Sequence, residues 1–324
     1  MKRKVLLQLV VPLLSLCVLF LLMTTEPADA VNSRELVELS VIFREESPVW
    51  ATTRAGMEQA AADLGAELRF LAPVDANDAA EQQELLAQEL ESGTDGVILL
   101  PTDRQDLEEL VDKTGSVVVT LETDLTDCDA DAYIGMDNSA AGAALGRSVL
   151  NGVQKGELVL LLDTAPGDNG VRERMKAARE VLEQEGRKVQ LLCAESGEAA
   201  EKLLLSRVRR VWPAAVVCFE ASALETASEV VEELRKELPN RWEQLPLLYG
   251  VGNTPAIAAG LEQSRILAIQ VQDDFSAGYL AVVTAINTMR YHFPHTPEHL
   301  PFTLVRKETM YDIDRQKLLF PVAR

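Results

Sequence analysis

Side chains able to do covalent chemistry are few in this chain, and their spacing argues against most uses of them. All three histidines, His292, His295 and His299, fall in the stretch YHFPHTPEHL, a spacing that invites a zinc site with Glu298 as fourth ligand. Pro294 and Pro297 keep one helix from presenting them on a common face, so no metal is expected. No Ser/His/Asp or Cys/His arrangement can be assembled without that stretch, and no G-x-S-x-G elbow occurs. Gly250-Val-Gly252 is only half a dinucleotide fingerprint and reads as a strand end with a tight turn, so neither cofactor nor catalysis is expected. What the chain does offer is hydrogen-bonding and aromatic side chains just after apolar runs of strand length. They are Ser47 and Trp50, Glu122 and Thr123, Arg172, Phe219 and Glu220, Asn253, and Gln272. Carboxylates, amides and guanidinium groups hydrogen-bond hydroxyls while aromatic faces cover C–H surface, which suits non-covalent capture of a small molecule.

Each of these residues also has a plainer use. Trp50 could pack a helix, although its place after Pro48 at a loop-to-helix junction favours ligand contact, and Glu122 could be a solvated turn residue or a cap. Of the two arginines early in one helix, Arg172 is the expected pocket residue and Arg174 the expected partner of surface carboxylates. Gln270 and Gln272 alternate onto one strand face, so one could point inward while the other finishes the strand.

The elements that must position these groups are legible as alternating strands and helices. The stretch from Val37 to Phe70 reads as strand, polar loop, helix ending at Gly65, and second strand; the doubly apolar first strand points to a parallel βαβ unit. In such sheets ligands sit beyond the carboxyl ends of the strands, which makes the loop from Arg44 to Trp50 the first candidate. Asp78 and Glu81 have capping-box spacing, Gly93 closes that helix, and strands follow at 96–101 and 116–121, giving one doubly wound domain. After residue 142 the pattern restarts, with strands expected at 157–162, 189–193, 215–219, 246–251 and 266–272, then a helix near 274–292 and a last strand near 302–306.

Ahead of all this, Lys2, Arg3 and Lys4, the apolar run from Val5 to Met23, and Ala28-Asp29-Ala30 form a signal peptide or, if uncleaved, a membrane anchor. The chain is therefore expected outside the cytoplasm. A net charge of −20, from 51 acidic and 31 basic residues, leaves no basic surplus for nucleic acid or anionic lipid. Cys128, Cys193 and Cys218 are an odd set for an exported protein, and Cys193 and Cys218 read as buried thiols in strands.

The stretch SVIFREESPVWATTRAGMEQAAADLG resembles the opening of the type I periplasmic binding proteins of the ribose and galactose class. AYIGMDNSAAG resembles the point where that family's chain first crosses between lobes, and DRQKLLFPVAR an ending common in one branch of it. The resemblance implies two doubly wound α/β lobes, 35–137 with 274–302 and 138–273 with 303–324, joined by a three-crossover hinge. It implies a monomer that captures a sugar by hinge closure and delivers it to an ABC transporter permease; the alternative is a tethered sensor acting on a membrane histidine kinase. Trp50 matches the family's stacking aromatic, Glu122 the carboxylate that holds ring hydroxyls, Arg172 the arginine from the second lobe and Gln272 the late glutamine. Thr123 stands where many relatives have Arg, Phe219 where Asn is usual, and Gly252 where Asp is expected, leaving Asn253 or Glu220 to compensate.

Overall fold

The computed structural model describes residues 36–102, 105–125, 128, 130–194, 197–291 and 298–320. The targeting segment, His292 and His295 lie outside them. The chain starts with β1 (Val37–Ile42), whose Leu39 and Val41, with the following Phe43, pack on one side of a sheet while Ile42 packs on the other. That two-sided burial explains a strand with little polar alternation. A 3-10 turn (Pro48–Trp50) leads into α1 (Ala51–Leu64), stopped at Gly65 in the left-handed conformation with φ 70°. Then come β2 (Ala66–Leu71), α2 (Ala79–Ser92), β3 (Gly96–Leu99), α3 (Gln105–Lys113), β4 (Val117–Leu121) and β5 (Ala132–Met136). Asp78 caps α2 by accepting from the Ala80 and Glu81 amides. Glu81 does not return the bond to Asp78; it accepts from the Val74 amide instead, so only half of the capping box forms.

The second lobe holds α4 (Asn138–Val149), β6 (Leu158–Asp163), α5 (Asn169–Gln184), β7 (Lys188–Cys193), α6 (Gly197–Val211), β8 (Ala215–Cys218), α7 (Ala221–Glu237), β9 (Leu247–Val251), α8 (Pro255–Glu262) and β10 (Ile266–Gln272). The chain then returns through α9 (Asp274–Tyr291) and β11 (Glu298–Leu300), and finishes with β12 (Phe302–Val305) and α10 (Ile313–Leu319).

The first sheet has the order β11-β5-β4-β3-β1-β2 and is parallel throughout; the second has the order β12-β10-β9-β8-β6-β7, with β12 antiparallel to β10. Three connections join the lobes, at Asp137, Asp273 and Pro301, each between an element of one sheet's layer and an element of the other's. The last strand expected near 302–306 forms as β12, and a further short strand, β11, precedes it in the other sheet, the two separated by Pro301 where the chain changes lobes. Each sheet reverses its winding between its first and third strands, β1 and β3 in one and β6 and β8 in the other. Those switch points open a crevice at the carboxyl edges.

Two close helix crossings brace the elements that reach this crevice. A Cβ on Gly56 of α1 would lie 2.0 Å from the Phe275 carbonyl of α9, and one on Gly278 of α9 would lie 2.0 Å from the Thr53 carbonyl. In the second lobe a Cβ on Gly142 of α4 would lie 2.0 Å from the Arg174 carbonyl of α5. The three described cysteines are free thiols, and Cys193, expected buried, is exposed because β7 is an edge strand. No described helix is long and apolar enough to cross a membrane.

Candidate functional site

Residues that follow β1, β4, β8, β9 and β10 meet in one crevice lined by both lobes. Arg44, the first residue past Phe43, reaches across to the second lobe, where its guanidinium pairs with Asp168 and, at 2.9 Å, with Glu220. Burial alone would favour the neutral guanidine, but Asp168 and Glu220 outweigh it and hold Arg44 firmly charged. Asp168 is itself fixed: its Oδ1 caps α5 by accepting from the Val171 amide at 2.8 Å and accepts from Thr123 of the first lobe at 2.7 Å. Glu220 also accepts from the Thr164 hydroxyl.

A second polar cluster lies beside the first. Glu122 follows β4 with φ 66°, a left-handed conformation that a residue with a side chain adopts only under constraint. Its carboxylate accepts from the Gln272 amide across the lobes. Asp274, at the start of α9, is hydrogen-bonded by Asn253 and Gln272, and burial together with the nearby Glu122 pushes its carboxyl up to about 7. Burial likewise raises the Glu122 carboxyl, against the pull of Arg174 and Arg44. Arg174 donates to Asn138 at 2.5 Å and to the Phe219 carbonyl at 3.2 Å.

Trp50 forms one wall. Its ring lies 5.9 Å from Phe43, and the Arg44 guanidinium sits 5.2 Å from its centroid, so it both packs the core and faces the crevice. Several buried polar atoms here have no protein partner: Arg44 Nε, Trp50 Nε1, both amide atoms of Gln270, and Gln272 Oε1. The cavity is about 70 Å³, below the roughly 300–1,000 Å³ of small-molecule sites, and Arg44 with its two carboxylates occupies much of the space between the lobes.

Of the residues expected from the sequence, Trp50, Glu122, Glu220, Asn253 and Gln272 line the crevice. Asn253 also donates to the Leu318 carbonyl at 3.1 Å, which ties it to α10. Four do not line it. Ser47 caps the 3-10 turn, its hydroxyl accepting from the Val49 amide. Thr123 is spent on Asp168. Phe219 is 0% exposed, because the alternation of β8 sends it, with Val217, to the core side. Arg172 is exposed and bonds Asn169, while Arg174 is buried and turned inward. The inner face of α5 carries Val171, Arg174, Ala178 and Leu182, one helical stripe that leaves Arg172 about 100° away. Gly252, where the resemblance leads one to expect an acid, has φ 128°, and a Cβ there would meet Ala221 and Ile257 within 2.8 Å. No side chain fits.

Residues 39–290 match the family model described as the periplasmic binding protein domain. The chain belongs to the periplasmic binding protein family. It is 24% identical over 177 residues to the ribose import binding protein RbsB of Bacillus subtilis, a match covering 53% of this chain and 56% of that one, so it spans about half of this curated relative. Its fold is similar to that of GanP, a glucose-galactose binding protein from Geobacillus stearothermophilus, at 20% identity and TM-score 0.77 over 86% of this chain and 100% of that one. A carbohydrate transporter solute binding protein from Agrobacterium radiobacter, in complex with D-arabinose, is similar at 17% identity and TM-score 0.81 over 89% of this chain and 100% of that one.

Proposed function

We propose that this protein captures a sugar outside the cytoplasm and delivers it, by hinge closure, to an ABC transporter. The observation that carries the reading is the set of unpartnered buried polar atoms facing one inter-lobe crevice. Arg44 Nε, Trp50 Nε1 and the Gln270 nitrogen donate, while the Gln270 and Gln272 oxygens accept, and a sugar hydroxyl does both at once. An unsatisfied buried polar group costs about 1–3 kcal/mol, which a polyhydroxylated ligand would recover at several atoms. Trp50, Glu122, Glu220, Asn253 and Gln272 would contact it, joined by Arg44, Arg174, Gln270 and Asp274. Because the contacts come from both lobes, ligand would favour the closed form by its differential affinity, and that form would be what the transporter recognises.

The named ligands of RbsB, GanP and the arabinose-bound protein support the choice of sugar. A thermal-shift screen against pentoses, hexoses, disaccharides and sugar alcohols tests it, since a ligand bound only to the native state raises stability by RT ln(1 + [L]/Kd). A dose-dependent rise in Tm with one sugar is expected; no shift anywhere in the panel refutes the reading.

A further inference from the structure

The crevice holds more carboxylate than guanidinium. Arg44 is committed to Asp168 and Glu220, and Arg174 donates to Asn138 and the Phe219 carbonyl. Glu122 and Asp274 remain, brought together on either side of Gln272, whose amide nitrogen donates to Glu122 while the side chain also bonds Asp274. Gln272 Oε1, in a residue 4% exposed, has no partner, and neither has Gln270, which is 0% exposed and lines the same cavity. Two carboxylates and an unused amide oxygen are three acceptors with a surplus of negative charge. A hydroxyl offers one donor and no charge to such a seat. An ammonium offers three donors and the missing charge. A divalent metal would need more ligands, and no cluster of three or more His, Cys, Asp or Glu occurs among the described residues.

We propose that the captured solute is an amino sugar whose protonated amine takes the place of the Gln272 amide nitrogen between Glu122 and Asp274, the amide turning its Oε1 to it as third acceptor. This rests on the sugar-capture reading and adds the charge of the ligand. The raised carboxyls of Glu122 and Asp274 agree with it, because two half-buried acids that repel each other hold a proton until a cation replaces it. The groups around the pair are Asn253, Gln272 and Asp273 near Asp274, and Arg174, Arg44 and Asp168 near Glu122. Both arginines are already engaged with other partners.

The test is isothermal titration of the full chain with glucosamine and galactosamine, their neutral parents glucose and galactose, and the N-acetylated forms, at pH 7.5 and 5.5. At pH 7.5 one amine should bind at least about tenfold tighter than its parent, the gain of a charged hydrogen bond. At pH 5.5 that preference should shrink by about tenfold, since Asp274 must first release its proton; affinity for the parent should not follow. Glu122→Gln and Asp274→Asn keep the side-chain shape and should abolish the preference, bringing affinity for the amine down to that for its neutral parent, while a cooperative melting transition reports that each variant is folded. A parent or N-acetyl sugar that binds as tightly as the amine overturns the inference and leaves sugar capture standing. Silence across the whole panel also overturns the inference, while sugar capture falls only if the pentoses, disaccharides and sugar alcohols of the thermal-shift screen are silent too.

Discussion

Arg174 and Arg172 sit two positions apart on one helix and face different surroundings, which makes them a clean pair for substitution. Arg174→Ala should lower affinity for the ligand at least about tenfold, because it removes a buried donor that lines the crevice and leaves Asn138 Oδ1 without its partner. Arg172→Ala should leave titration curves unchanged, since its guanidinium bonds only Asn169 at the surface. Equal losses from both would mean that α5 does not present Arg174 to ligand. The stripe Val171, Arg174, Ala178, Leu182 was present in the sequence as a helical period, so the inward arginine was readable from spacing; matching the family's motif pointed to Arg172 instead. Arg44 and Asp274 were harder to read. Their importance comes from partners more than a hundred residues away, Asp168 for Arg44 and Glu122 for Asp274, and no local pattern encodes that meeting. Asp274 also makes a pH prediction. Its folded carboxyl titrates near 7 against about 4 when unfolded, so the native state holds the extra proton between those values. Its contribution to stability is fully present below about pH 4 and lost as pH rises through 7. Melting curves of the ligand-free protein should show Asp274→Asn gaining on the parent as pH rises from 5 to 8; a constant gap would contradict the shift.

Strands and helices came through the sequence clearly because each is buried by a regular pattern. Doubly covered strands such as β1, β3 and β8 read as unbroken apolar runs, and Gly65 and Gly93 end their helices in left-handed turns. β11 and α10 were missed: the first is three residues long and the second seven, below the length at which periodicity carries a signal. The helix crossings were also silent in the sequence, since a glycine chosen for close approach looks like any other. α1 follows Trp50 and α9 starts at Asp274, so their spacing sets the distance between two walls of the crevice. Gly278→Ala should force the helices apart, because the added Cβ meets the backbone carbonyl of Thr53 at 2.0 Å and no side chain can move aside. A loss of about 1–3 kcal/mol, seen as a drop of several degrees in Tm, should accompany weaker ligand binding. An unchanged Tm would show that the crossing is looser than its geometry.

At the scale of the whole molecule the lobes are tied by charge as well as by their three connections. Arg44 to Asp168 and Glu220, Thr123 to Asp168, and Gln272 to Glu122 all cross the crevice. These contacts hold the lobes against each other, and a ligand would add to, or exchange with, them. Arg44→Ala separates these roles. In the closed form it strands two buried carboxylates, and breaking a buried pair by removing one partner costs about 3–5 kcal/mol. In an open form water solvates Asp168 and Glu220, so most of that cost disappears, and the open population should rise by a factor on the order of a hundred or more. Small-angle X-ray scattering of the ligand-free variant should then show a larger radius of gyration than the parent, with saturating ligand restoring part of the difference. Identical radii would mean that the hinge connections alone hold the lobes together and that Arg44 serves only the ligand.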